Sequence, residues 1–117
     1  MTININSIGE QIGLGEGKYK INLIGGWGIE LNEFSLAFKN IQTQELLIAN
    51  RSFWPVQSYQ ENRRTRRIMI VNINQEGLYE VIFTNSDKLI VRWSPLRMHR
   101  LWADPVSNER LEIQIER

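Results

Sequence analysis

The sequence predicts an all-β fold, a single-domain antiparallel β-sandwich spanning residues 1–117. Three observations lead there. Apolar residues alternate with polar ones at period two in several runs rich in Val, Ile, Phe, Tyr and Trp, the pattern of strands with one buried face. Turn-forming clusters recur every ~8–12 residues, which gives about seven to nine short strands, the spacing of sandwiches and barrels. No strand alternates with a long helical pattern, so nothing calls for a parallel sheet.

The densest signal lies in residues 67–93. Ile68 to Ile73 is β-branched and apolar. Leu78 to Thr84 places Tyr79, Val81 and Phe83 on one face and Leu78, Glu80, Ile82 and Thr84 on the other. Leu89 to Trp93 opposes Leu89, Val91 and Trp93 to Ile90 and Arg92. The joints, Asn74 to Gly77 and Asn85 to Asp87, are rich in residues that tolerate positive φ or bond their own main chain. Both are too short for a crossover helix, so the three runs are expected to pair as an antiparallel meander. The face with Tyr79, Val81, Phe83, Leu89, Val91 and Trp93 is the expected core. The other is mixed, and its Ile82 and Ile90 form a candidate interface.

Gly77, Tyr79, Phe83 and Asn85 stand in the spacing G-x-Y-x-x-x-φ-x-N. This stretch resembles the hairpin of jelly-roll-like β-sandwich domains of the Golgi-dynamics type. The resemblance implies architecture and no activity, and the cysteine that some such domains hold near this hairpin is missing. The fold class expected is therefore a jelly-roll-like sandwich.

The other segments follow in order. Residues 2–6 alternate Ile3 and Ile5 and suit a short edge strand, while the glycine-rich 8–17 reads as a loop. Lys18 to Ile24 alternates Tyr19, Ile21 and Leu23 as a strand, broken by Gly25 to Gly28. Ile29 to Lys39 changes phase at Asn32 and Glu33. That fits a bulge or a turn between two short strands, and strand is favoured over one amphipathic helix through Leu31, Phe34 and Phe38. Glu45 to Ala49 fits a strand or a helical turn. Arg51 to Tyr59, with Pro55, suits an irregular or edge segment. Residues 94–110, with Pro95 and Pro105, are too interrupted for a long element. Leu111, Ile113 and Ile115 alternate in a last strand.

Composition narrows the function classes. With 117 residues, net charge +1, 42% hydrophobic and 23% charged residues, the chain is that of an ordinary globular domain. Residues 51–100 hold nine Lys/Arg against four Asp/Glu. There is no cysteine, hence no disulfide, thiolate metal site or catalytic thiol. His99 is the only histidine, which excludes a histidine-cluster metal site. Gly13 to Gly17 lacks the Lys-Ser/Thr of a phosphate loop, and no G-x-S-x-G nucleophile motif occurs. The start shows no apolar segment of a signal peptide, and no run approaches the ~20 apolar residues of a membrane helix. The expected location is cytoplasmic, without cofactor, metal or membrane.

Three candidate sites remain. Arg63, Arg64, Arg66 and Arg67 could clamp phosphates or an acidic partner, since guanidinium forks bind oxyanions bidentately. The plainer alternative is a solvated stretch in which Arg66 and Arg67 guard a sheet edge. Nucleic acid is disfavoured by the near-zero net charge. Trp27 and Trp54, in expected loops, could stack on carbohydrate. Ile82 and Ile90 could meet a protein partner or a second copy. With catalytic groups scarce, the expectation is a non-enzymatic binding or assembly module acting through protein–protein contacts, possible self-association included. The alternatives are a carbohydrate-binding module and an anion or nucleic-acid binder.

Overall fold

In the computed structural model the described residues are 2–25, 28–52, 57–60, 63–92, 109 and 111–117. They form twelve strands: β1 (Thr2–Asn4), β2 (Gln11–Leu14), β3 (Gly17–Ile24), β4 (Gly28–Glu30), β5 (Ser35–Asn40), β6 (Leu46–Ile48), β7 (Asn50–Arg51), β8 (Gln57–Gln60), β9 (Arg63–Ile73), β10 (Gly77–Thr84), β11 (Ile90–Arg92) and β12 (Glu112–Glu116). A short 3-10 turn, Ser86–Lys88, lies between β10 and β11, and there is no α-helix among the described residues.

Eight of these strands are a long hairpin rolled on itself. β1 pairs with β12, β2 with β10, β3 with β9, and β5 with β6, so the early strands meet the late ones in reverse order. Rolling then joins β12 to β3 and β10 to β5. The result is two antiparallel sheets in the order β1-β12-β3-β9 and β2-β10-β5-β6. This is the jelly-roll arrangement. β7 and β8 add to β9, while β4 and β11 form a separate two-stranded ribbon.

Each sheet turns its alternating apolar residues inward. Ile3, Ile113, Ile115, Tyr19, Ile21, Leu23, Met69, Val71 and Ile73 come from one sheet. Ile12, Leu14, Leu36, Phe38, Tyr79 and Val81 come from the other, and all are buried in one cluster. Phe83 continues this phase at the end of β10 but is only partly buried, stacked on Phe34 with ring centroids 6.3 Å apart.

The expected meander of three paired strands is absent. β9 lies in the first sheet, β10 in the second and β11 in the ribbon. The physical reason is reach. The loop Asn74–Glu76 has three residues, and three residues extended span about 10 Å, the spacing of packed sheets. A joint this short can therefore cross the sandwich as readily as it can close a hairpin. The stretch resembling a hairpin, residues 76–93, thus holds β10 and β11 in different sheets, although the jelly-roll architecture it implies is the one observed. Nor is the segment 8–17 all loop, because β2 lies within it.

Other boundaries match the sequence reading. Asn32 (φ 52) separates β4 from β5 where the alternation changes phase, and Asn85 (φ 57) opens the turn after β10. Both are residues suited to left-handed backbone. Their side-chain amides tie loops together: Asn32 donates to the Lys88 carbonyl at 2.8 Å and Asn85 to the Glu33 carbonyl at 3.2 Å. Of the two readings of Glu45 to Ala49, strand is the one found, as β6 over Leu46–Ile48.

Candidate functional site

The outer face of the β2-β10-β5-β6 sheet follows from its register. Ile82 stands opposite Ala37, and Ala37 opposite Ile48, so one apolar row crosses three strands. The adjacent row runs Gln11, Glu80, Lys39, Leu46. Leu78 faces Gly13 on one side of these rows, and Thr84 faces Ser35 on the other. Glu80 and Lys39 are directly opposite, yet among the described residues they form no salt bridge.

The exposed large apolar residues of the described chain are Ile8 (98%), Ile48 (63%), Leu46 (51%) and Leu78 (46%). Leu46, Ile48 and Leu78 lie on this face. Ile8 rises at its rim, in the Ser7–Gly9 loop, and shares an open hollow of about 260 Å³ with Glu80, Ile82 and Phe83. The hollow lies just past the end of the pairing of β2 with β10, which runs from Gly77 to Glu80 and closes with the Val81 N–H donating to the Glu10 carbonyl at 2.8 Å.

Local chemistry fixes these positions. Asn40, buried at the end of β5, accepts from the backbone N–H groups of Gln42 (2.9 Å) and Thr43 (3.0 Å). This Asx-type turn, with Gln44 at φ 65, folds β6 back onto β5. Gly9 (φ 76) supplies the left-handed step that presents Ile8, a conformation glycine adopts without strain. Once β6 is in place, Leu47 points inward and its neighbours Leu46 and Ile48 must point out.

The outer face of the opposite sheet is of another kind. Its rows carry Thr2, Gln114, Asn22 and Arg67, then Glu116, Lys20 and Ile70, with Lys18 and Asn72 beyond. Asn22 donates its amide to Glu116 (3.0 Å) and Gln114 (3.4 Å). Toward Lys20, Glu116, Lys18 and Asn72 this is the ordinary polar solvent side of a sandwich, while at its other end Asn22, Ile24 and Thr65, of the same outward phase, are buried.

The structure places Arg63, Arg64, Arg66 and Arg67 along one strand. All lie on β9, which is flanked by β3 and β8, so Arg66 and Arg67 do not guard an edge. An extra residue in β9, Ile68, makes a bulge opposite Ile21 and Asn22. As a result Arg66 sits in register with the core residue Leu23, and Arg67 with Asn22 on the other face. Both are partly buried, and the Nε of Arg67 is buried with no hydrogen-bond partner among the described residues. Arg63 and Arg64 occupy register positions opposite Gln60 and Tyr59.

Ile82 and Ile90, expected on one face, are separated. Ile82 is on the apolar face just described, while Ile90 pairs with Glu30 in the ribbon. Trp27, Trp54, Trp93, Trp102 and His99 lie outside the described residues. Among the described residues no group of three or more acidic or histidine side chains converges as a metal site, and no helix is long and apolar enough to cross a membrane.

The sequence reading missed Ile8, Ala37, Leu46 and Ile48. The signal available was the run Leu46-Leu47-Ile48, where a single strand cannot turn three successive apolar side chains inward. No known protein family, curated protein or solved structure matches the chain.

Proposed function

We propose that the protein is a non-enzymatic binding or assembly module that meets another protein through the outer face of the β2-β10-β5-β6 sheet. The supporting observation is the gathering of Leu46, Ile48 and Leu78 on that face, with Ile8 at its rim. Single exposed apolar side chains are normal on any protein. Here they share one side of the molecule with Ile82 and Ala37. The largest apolar patch on a protein surface is often the functional one. Glu80 and Lys39 cross the middle of the patch as one charged pair of positions, and Gln11 and Thr84 lie at its margins.

The test compares complexes formed in extract of the native source by the wild type, by Ile48→Lys, and by Lys20→Glu on the polar sheet. The expected result is a larger species with wild type and Lys20→Glu that is lost with Ile48→Lys. A complex that survives Ile48→Lys and disappears with Lys20→Glu would place the binding surface on the other sheet and end this reading.

A further inference from the structure

We infer that the partner on this face is a second copy of the chain, related by a two-fold axis that runs along the strands between β10 and β5. The inference rests on the reading of this face as a docking surface and adds the identity of its occupant.

The face is complementary to itself about that axis. Glu80 on β10 and Lys39 on β5 are equidistant from it, being cross-strand partners. A two-fold rotation about the axis lays each Glu80 over the Lys39 of the other copy, so two charge pairs form at once. In an isologous interface, whatever residue i meets in j is met again in reverse. The same rotation sets Ile82 over Ala37, large against small, twice.

The outer strands match as well. Ile48, on β6, lies one and a half strand spacings from the axis on one side, about 7 Å. The hollow lined by Ser7, Ile8, Gly9 and Ile82 lies on the other side, beyond β10 and past the end of β2. The rotation brings the exposed Ile48 of each copy to the hollow of the other. At about 260 Å³ that hollow is larger than the ~150 Å³ cavities that accept a small hydrocarbon. An edge residue that projects and an edge hollow that receives, on one row of one face, are what a two-fold pair uses and what a lone molecule leaves unfilled.

The area sets the strength. Four strands at ~4.8 Å spacing and about six residues of length give a face of roughly 400 Å². Two copies bury on the order of 800 Å² in total, below the ~1,200 Å² of standard specific interfaces and in the range of weak, transient ones. The dimer is therefore weak and depends on concentration. The strands of the two copies run near parallel across the new interface, the aligned form of sheet packing.

The experiment is molar mass by light scattering from roughly micromolar to millimolar chain, with folding of each variant checked by circular dichroism. Wild type is expected to rise from the mass of one chain toward two. Glu80→Lys alone and Lys39→Glu alone each place like charges together twice, and should raise the dissociation constant about tenfold or more. Mixing these two variants, or combining both changes in one chain, should return it to within about threefold of wild type. Ile48→Lys should keep the protein monomeric. Both charge positions are on the surface, so the rescue remains readable even if Ile48→Lys misfolds. Dimerisation that ignores the charge changes, or is not rescued by combining them, would overturn the axis. A wild type that stays monomeric at millimolar concentration would overturn the second copy as partner. The docking face itself would then stand or fall on the complexes formed in extract.

Discussion

The loop that carries the chain across the sandwich should be held by one hydrogen bond whose loss can be measured. Tyr79 is buried on β10, and its hydroxyl donates to the Gln75 carbonyl at 2.6 Å. Gln75 lies in the crossing loop Asn74–Glu76. Tyr79→Phe keeps the ring in the core and removes only this bond. Gln75 is an exposed residue, so water can serve the freed carbonyl, which holds the loss near 1 kcal/mol. Tyr79→Ala removes the ring as well and should cost about 3–5 kcal/mol, as truncation of a buried aromatic does. Urea unfolding followed by circular dichroism separates the two. With a slope of ~2 kcal/mol/M for a domain of this size, Tyr79→Phe should lower the midpoint by about 0.5 M at unchanged slope. A midpoint that does not move would show that the bond does not anchor the loop. A loss as large as that of Tyr79→Ala would show that the hydroxyl supports far more than this one carbonyl.

The remaining stability predictions come from the same packing. Asn40→Ala leaves the N–H groups of Gln42 and Thr43 without their acceptor, and should cost ~2 kcal/mol in chemical denaturation. Phe34→Ala should cost about 3–5 kcal/mol, and Phe83→Ala roughly half of that, because Phe34 is fully enclosed and Phe83 only partly. Equal losses would mean that β10 is buried to its end. Gly13→Thr should raise the melting temperature by a few degrees, corresponding to up to about 1 kcal/mol. A Cβ at Gly13 meets nothing within 4 Å and its backbone is outside the left-handed region. Destabilisation there would imply contacts on that side of β2.

Alternation carried most of the fold. β3, β5, β10 and β12 are legible because Tyr19-Ile21-Leu23, Phe34-Leu36-Phe38, Tyr79-Val81 and Ile113-Ile115 each keep one parity. β2 was hidden because Gly13, Gly15 and Gly17 make its surroundings read as loop, although Ile12 and Leu14 already alternate. Pairing was not legible, since parity says which side of a strand is buried and nothing about the neighbouring strand. Hence Ile82 and Ile90, of matching parity, were assigned to one face and belong to separate sheets. The bulge at Ile68 is a property of register between two strands, and it puts Arg66 instead of Arg67 in register with the core residue Leu23 in a way no local pattern displays. Ile82 with Leu78 could be read as a mixed outer face. Ile8 and Ile48 could not, because their exposure depends on where β2 ends and on how the Asn40 turn lays β6 against β5.

The central claim is that this molecule meets proteins through the apolar sheet face. A photocrosslinking amino acid placed at position 46 on that face, or at position 20 on the polar face, tests it inside cells of the native source, whoever the partner is. The account predicts light-dependent protein adducts from position 46, at twice the chain mass if the partner is a second copy, and none from position 20. Adducts from position 20 with none from position 46 would contradict it.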